Sequence, residues 1–330
     1  MSAAGEDTER LRGIFKRCTA KPKLTILHGQ SWGASVAAKA AEAYPASFDG
    51  VLLTSGVLGG GVLGGGSPSY DFRLDLRVVY QALCANHPLP TEAPYPLWQG
   101  LPPGATLTHA EPACRVDDCT GLRSTPAQRS AGQQRKLDAL LAVVRIPERS
   151  LIGQLNWATW HFQDIVFKRL AGGNPFGNEG AVYVGSEDDA ALNARVLRYR
   201  ADPQAVARFA ADTDPTGRIE VPVLTVHAAA DPVGFVELDS TFRDAMAAAG
   251  NAGHLVQTFT DEHEHSDLAD PEYVALMQAL LAWVTDASRT TPQRVAERCR
   301  SLEAAFGSGC GFMPDYRPAA LAQRVAPRAP

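Results

Sequence analysis

The sequence contains no run of about 18 apolar residues, the length that a membrane-spanning helix needs. It has no cluster of basic residues, and its formal net charge of -5 provides no positive field for nucleic acid or anionic lipid. The first residues are polar and acidic, unlike an export signal. We therefore expect a folded globular protein of 330 residues with no membrane span and no nucleic-acid partner.

The usual signatures of metal and phosphate sites are also missing. No two cysteines have the C-x-x-C spacing of zinc or redox centres. Residues 56–66 contain Val-Leu-Gly-Gly-Gly twice, but no Lys-Ser or Lys-Thr follows, so we interpret them as a flexible connection rather than a phosphate-binding loop. His263 and His265 with nearby acids are a weak metal pattern. We expect neither a metal nor a cofactor.

The cysteines form two pairs close in sequence, Cys114 with Cys119 and Cys299 with Cys310, and leave Cys18 and Cys84 without a neighbour. Paired cysteines favour structural disulfides in an exported protein, either secreted or periplasmic. The alternative is six inert, mostly buried thiols. The absence of a leader in the first residues counts against export unless the true amino terminus lies upstream.

The strongest chemical signal is Gly29-Gln30-Ser31-Trp32-Gly33, the single G-x-S-x-G of the chain. A predicted buried strand at 24–28 precedes it, and an alanine-rich predicted helix at 32–44 follows it. A nucleophile elbow needs a serine at a sharp strand-to-helix turn, with nearly side-chain-free residues two before and two after it. Ser31 is therefore the candidate nucleophile, and the backbone N–H of Trp32 is a candidate oxyanion donor.

A serine nucleophile needs an imidazole base and a carboxylate that orients the imidazole. Asp231 follows the predicted strand at 221–226, at the carboxyl end of the sheet, and is our candidate acid. His265 lies 34 positions later (265 minus 231), which leaves room for one helix and one strand, and is our candidate base. His263 is the alternative base.

Between these two regions the pattern changes to helices with proline- and glycine-rich loops. We interpret residues 57–218 as a cap inserted into a core of residues 1–56 and 219–288, with a carboxyl-terminal tail at 289–330. Trp157 and Trp160 could line an acyl pocket of the cap, although aromatic residues at helical spacing are also typical of a plain core.

Residues 21–56 and 221–286 resemble the second half of the α/β-hydrolase fold, from its nucleophile strand to its final helix. The resemblance implies an α/β architecture with a mostly parallel sheet, a Ser31–Asp231–His265 triad and an esterase, lipase or peptidase repertoire. That fold normally has four strands before the elbow, and the loop after the third supplies a second oxyanion donor. Because one helix and one strand precede Ser31, we expect an N-terminally incomplete sheet.

Together these features predict a serine hydrolase that cleaves a small-molecule carboxylic ester through an acyl-enzyme. A prolyl-peptidase-like serine peptidase is the nearest alternative, because scissile amides and esters pass through similar tetrahedral states. A ligand-binding hydrolase fragment with weak or no activity is the third hypothesis.

Overall fold

The computed structural model describes residues 1–59 and 68–325. Most of the glycine-rich connection predicted at 56–66 lies outside the described residues. The α-helices are α1 (Ser2–Cys18), α2 (Trp32–Ala43), α3 (Pro68–Cys84), α4 (Glu111–Thr120), α5 (Ala131–Val144), α6 (Leu151–Asn156), α7 (Asp189–Arg195), α8 (Pro203–Thr213), α9 (Leu238–Ala248), α10 (Asp270–Asp286) and α11 (Pro292–Phe306). The strands are β1 (Ile26–Gln30), β2 (Gly50–Thr54), β3 (Val223–Ala228) and β4 (Leu255–Thr260).

Contacts between residues divide the described chain into two compact units. The first unit comprises residues 1–59 and 212–321, and the second comprises 68–211 and 322–325. Residues 289–321, predicted as part of a separate tail, group with the first unit. Our division into core, cap and tail stays a prediction. Among the described helices, none combines the length and the apolar character that crossing a membrane requires.

The first unit is built on a parallel sheet with strand order β1-β2-β3-β4. Its register pairs Ile26 with Gly50 and Val223 with both Val51 and Leu255. Parallel strands need crossover connections, so all four strands end at the same edge of the sheet. The loops that follow β1, β3 and β4 therefore meet at that edge, as the sequence analysis predicted for the residues placed there.

Helices cover both faces of this sheet. Because side chains alternate along a strand, Val51 and Leu53 of β2 pack in a core with α2 and α9, whereas Leu52 packs in a second core with α10 and α11. The alanines of α2 are buried, which allows the helix to approach the sheet closely. The predicted α/β class with a parallel sheet is confirmed.

The second unit is mainly helical in its described part. After α6 the chain continues through π-helical segments at Trp157–His161 and Asp164–Arg169, so that residues 151–169 are helical throughout. A disulfide joins Cys84 at the end of α3 to Cys119 in α4.

The disulfides show which sequence pairing was correct. Cys299 pairs with Cys310, as their proximity predicted, but Cys119 pairs with Cys84 rather than with Cys114. In α4, residues 114 and 119 differ by more than one helical turn, so their side chains diverge, whereas the end of α3 packs close to α4. Cys18 and Cys114 are exposed free thiols.

A short segment at residues 309–313, which we call the C-terminal strap, follows α11 and pairs with the end of β4. Asp261 N donates to Gly311 O at 2.9 Å, and Met313 N donates to Phe259 O at 2.7 Å. The strap is linked to α11 by the disulfide of Cys310. Our sequence analysis assigned residues 289–330 to a tail and predicted neither α11 nor this pairing.

Candidate active site

Ser31 occupies the sharp turn between β1 and α2. Its backbone φ is 56°, in a region that side-chain-bearing residues seldom adopt, so the turn is strained. A Cβ at Gly29 would lie 2.2 Å from the carbonyl oxygen of Gly33, which only glycine can avoid. The strand, the turn and the helix thus hold the Ser31 hydroxyl at the carboxyl edge of the sheet.

The requirement for a small residue after the serine is weaker than predicted. A Cβ added at Gly33 would meet no described atom within 4 Å. Trp32 is the first residue of α2, and the N–H groups of a first helical turn have no partner within the helix. The Trp32 backbone N–H therefore points out of the helix end, while its indole is 46% exposed.

The structure brings Ser31, His265 and Asp231 together. His265, in the loop after β4, has Nε2 2.7 Å from Ser31 Oγ. Its other ring nitrogen, Nδ1, lies 2.7 Å from Asp231 Oδ2, in the loop after β3. In the neutral imidazole, Nδ1–H donates to the carboxylate and Nε2 accepts from the serine hydroxyl. This arrangement can move the proton of Ser31 onto His265.

Asp231 is held as a carboxylate acceptor. Oδ1 accepts from the backbone N–H of Val233 at 2.7 Å and of Gly234 at 3.0 Å. Oδ2 accepts from His265 and, at 3.1 Å, from His227 Nε2. Burial alone would raise the pKa of Asp231, but the hydrogen bonds and charges of the two histidines lower it to about 2.

His263, the alternative base, is exposed and lies two residues before His265. Both side chains leave the same loop, yet the ring whose nitrogen lies at bonding distance from Ser31 Oγ is that of His265. The weak metal pattern at these histidines is not assembled either: among the described residues, no three His, Cys, Asp or Glu side chains are grouped so that they could hold a metal ion.

A second histidine belongs to the same hydrogen-bonded group. His227 is the fifth residue of β3. Its Nε2 faces Asp231, and its Nδ1 lies 2.6 Å from Oδ2 of Asp239 in α9. A lone histidine in an apolar strand gives no signal that separates a packing role from a polar one, so the sequence analysis missed this pair.

Trp157 and Trp160 lie in the second unit, in its first π-helical segment. Trp157 stacks on His161 and faces the guanidinium of Arg73, 4.8 Å from the ring centroid. Trp160 stacks on His109, with ring centroids 3.9 Å apart. Both indoles are partly exposed. Their role toward a substrate stays a prediction.

No protein-family model matches the sequence, and no curated protein matches it. Solved structures do match. A monoacylglycerol lipase of Paleococcus ferrophilus is 13% identical, with 86% of this chain and 76% of that chain covered and a TM-score of 0.33. Feruloyl esterase B of Aspergillus oryzae is also 13% identical, with 86% and 63% covered and a TM-score of 0.33.

The described sheet and helices agree with the α/β-hydrolase resemblance of the sequence. Its parallel sheet, with helices on both faces and the loops after β1, β3 and β4 at one edge, is the arrangement that the sequence resemblance implied. At these identities and TM-scores the matches support no conclusion about the chemistry, and the α/β-hydrolase fold hosts many reactions. The chemistry has to be argued from the residues at the edge of the sheet.

Proposed function

We propose that this chain is a serine hydrolase that cleaves a carboxylic ester, with Ser31 as nucleophile, His265 as base and Asp231 as the acid that orients His265. The observation that carries the proposal is the continuous pair of 2.7 Å contacts from Ser31 Oγ through His265 to Asp231 Oδ2. Nucleophile, base and orienting carboxylate at these distances are the features by which such a triad is recognised.

The reaction has two halves. Nε2 of His265 takes the hydroxyl proton while Ser31 Oγ attacks the ester carbonyl carbon, and a tetrahedral oxyanion forms. His265 then gives that proton to the alcohol oxygen, the ester C–O bond breaks, and the acyl group stays on Ser31. Water repeats the sequence: His265 takes its proton, the hydroxide attacks the acyl carbon, and the acid leaves as Ser31 regains its proton.

The developing oxyanion needs donors aimed at it. The Trp32 N–H at the start of α2 follows the nucleophile directly, where this fold takes one donor, and the positive end of the helix dipole adds to it. We assign Trp32 this role through its backbone, so substitution of the exposed indole by another residue leaves the donor in place.

Covalent labelling tests the nucleophile. We expect a fluorophosphonate probe to modify the protein at Ser31, identified by mass spectrometry, and labelling to be lost in Ser31→Ala. Hydrolysis of p-nitrophenyl esters should fall by about a million-fold in kcat in the same variant, the loss known for a removed serine nucleophile. Labelling at another residue, or ester turnover unchanged by Ser31→Ala, would contradict the proposal.

Variants of His263 and His265 test which of the two histidines is the base. His265→Ala should abolish labelling, whereas His263→Ala, two residues away and exposed, should label at the rate of the parent protein. The reverse result would transfer the role to His263.

Substrate class is tested by competition between p-nitrophenyl esters and short peptide amides, including amides after proline. We expect ester cleavage with a higher kcat/KM than amide cleavage. Faster amide cleavage would instead support the peptidase, and thermal stabilisation by ester analogues without turnover or labelling would support the non-catalytic hypothesis.

The two disulfides support a further part of the proposal, that the protein works in an oxidising compartment outside the cytoplasm, secreted or periplasmic. Both pairs should be recovered oxidised from protein purified from its natural source under thiol-blocking conditions. Recovery as free thiols would contradict this compartment.

A further inference from the structure

The row of hydrogen bonds at Ser31 continues past Asp231 into the core. From Asp231 Oδ2 it passes to His227 Nε2 at 3.1 Å, and from His227 Nδ1 to Asp239 Oδ2 at 2.6 Å. Thr225 Oγ1 and Gln257 Nε2 then donate to Asp239 Oδ1 at 3.3 and 3.2 Å. The side chains of His227, Asp231 and Asp239 are at most 1% exposed, so this row is shielded from solvent.

The partners of His227 determine its protons. Nε2 also lies 2.9 Å from the carbonyl oxygen of Gly234, which can only accept, so Nε2 carries a hydrogen. Nδ1 faces a carboxylate whose other oxygen already accepts from Thr225 and Gln257. Burial opposes a charged ring, but the attraction of Asp239 and the hydrogen bonds to both carboxylates outweigh it and raise the pKa of His227 to about 10.

Charges therefore alternate along the row. From the loop after β3, Asp231 is negative; from β3, His227 is positive; and from α9, Asp239 is negative. His265, from the loop after β4, faces Asp231 from the other side. When His265 accepts the serine proton, it becomes positively charged. Asp231 then lies between two positive rings, His265 on one side and His227 on the other.

We propose that His227 and Asp239 are positioning residues for the hydrolase site. Protonated His227, held by Asp239, fixes the orientation of the Asp231 carboxylate. Its positive charge also weakens the stabilisation that Asp231 gives to protonated His265. This inference rests on the proposed function. Its consequence is that His265 stays unprotonated, and so able to act as base, at lower pH than it would beside an Asp231 without His227. His227 and Asp239 thereby extend the pH range of hydrolysis to lower pH.

Asp239→Asn tests the charge without changing the shape of the side chain. The amide of Asn can donate to His227 Nδ1, which then gives up its proton, and its oxygen can still accept from Thr225 and Gln257. The variant removes the positive charge of His227, which is nearer to His265, together with the negative charge of Asp239, which is farther from it. Protonated His265 is therefore more stable in the variant. The acidic limb of the kcat/KM profile should move to higher pH by about 0.5 to 1 unit, with KM within about twofold.

The direction of the shift separates the possibilities. If His227 were neutral beside an ionised Asp239, removing that negative charge would move the limb to lower pH. If the proton already resided on Asp239, the limb would not move. Either result, in a variant that circular dichroism shows to be folded, overturns the proposal.

Two further variants guard the interpretation. Asp244→Asn removes a carboxylate from an exposed position of the same helix, where it pairs with Arg243, and should leave the profile in place. The double variant His227→Gln and Asp239→Asn removes both charges while leaving groups that can hydrogen bond to each other, and should shift the limb as Asp239→Asn does. A shift of the same size in Asp244→Asn would count against the row as the cause.

A spectroscopic measurement decides the charge of His227 without any turnover. In protein labelled with ¹⁵N-histidine, both ring nitrogens of His227 should remain protonated from pH 6 to about pH 9, and one should lose its proton in Asp239→Asn. Resonances are assigned by comparison with the double variant. A singly protonated His227 at neutral pH in the parent protein would refute the inference even if Ser31 labels, whereas failure of Ser31 to label would refute the proposed function and leave this measurement to stand by itself.

Discussion

Both units of the molecule bury charged side chains, and His227 in the first unit and Arg77 in the second have different kinds of partner. In the first unit, His227 lies between Asp231 and Asp239, so opposite charges meet. In the second unit, Arg77 of α3 is fully buried, and its guanidinium donates to the carbonyl oxygens of Leu97 and Ala158 and to the hydroxyl of Tyr95. Within the described residues, Arg77 forms no ion pair with a carboxylate.

The partners of Arg77 give it a structural role, whereas the partners of His227 give it an electrostatic role at the candidate site. Neutral acceptors cannot take part in charge redistribution, and burial lowers the pKa of Arg77 without a carboxylate to offset it. Arg77 instead joins α3 to the 3₁₀ turn at Leu97–Gln99 and to the π-helical segment that contains Ala158. The row of alternating charges at Asp231 joins three elements too, but each of its members changes the electrostatics of the next.

Among changes to these buried charges, the largest effect should come from Asp231, whose charge both histidines share. Asp231→Asn keeps the size of the side chain but places an NH2 group, which can only donate, where two imidazoles donate to Oδ2. We expect kcat for p-nitrophenyl esters to fall by about 10³- to 10⁴-fold, as when the orienting acid of a triad becomes an amide. Stopped assays with purified, folded protein measure it, and a loss of less than tenfold would show that His265 does not depend on Asp231.

The corresponding change in the second unit should reduce stability instead. Arg77→Leu leaves the carbonyl oxygens of Leu97 and Ala158 and the hydroxyl of Tyr95 without their buried donor. We expect the free energy of unfolding to decrease by about 3 kcal/mol, measured by urea denaturation. Arg135→Leu is the control: Arg135 is 59% exposed, and its loss should change stability by less than about 0.5 kcal/mol. Equal effects of the two variants would remove the distinction between them.

The smallest effect compares two buried carboxyl groups of the first unit. Glu272 accepts from the backbone N–H groups of Ala269 and Gly311. Burial, joined by repulsion from Glu262 and Asp261, raises its pKa to about 7, opposite to the lowering at Asp231.

Because the folded state holds this proton more tightly than the unfolded chain, the stabilisation is complete below about pH 4.5 and is lost as the pH rises through about 7. The difference in unfolding free energy between the parent protein and Glu272→Gln should change by roughly 1 to 2 kcal/mol between pH 5 and pH 8, with the parent losing stability. Urea titrations at both pH values measure it, and a constant difference would show that Glu272 is ionised throughout.

Much of the first unit could be predicted from the sequence because its strands are compact apolar runs with turn residues at both ends. The same signal placed Ser31, Asp231 and His265, since each follows a predicted strand or lies in the loop after one. The prediction for Gly33 went too far: the elbow requires glycine at Gly29, where the backbone of the next helix approaches, but not at Gly33.

The remaining features depend on contacts between distant parts of the chain. Cys84 and Cys119 are 35 positions apart, and spacing favoured the wrong partner for Cys119. His227 lies four positions before Asp231, but only the position of α9 against β3 brings Asp239 to its other nitrogen. The helix α11 was missed because its polar face and the following glycine- and proline-rich residues were typical of a surface tail.

The disulfide that holds the C-terminal strap affects what happens when a protease cuts the chain near it. Residues 304–309 are exposed, so the polypeptide can be cut there, yet the Cys299–Cys310 bond would keep the distal piece attached. After a cut, reduction of this disulfide would leave the piece held by noncovalent contacts alone, among them the backbone bond to Asp261 at the start of the loop that carries His265. Neither cleavage of the peptide chain alone nor reduction of the disulfide alone would break every covalent link to this end of the molecule.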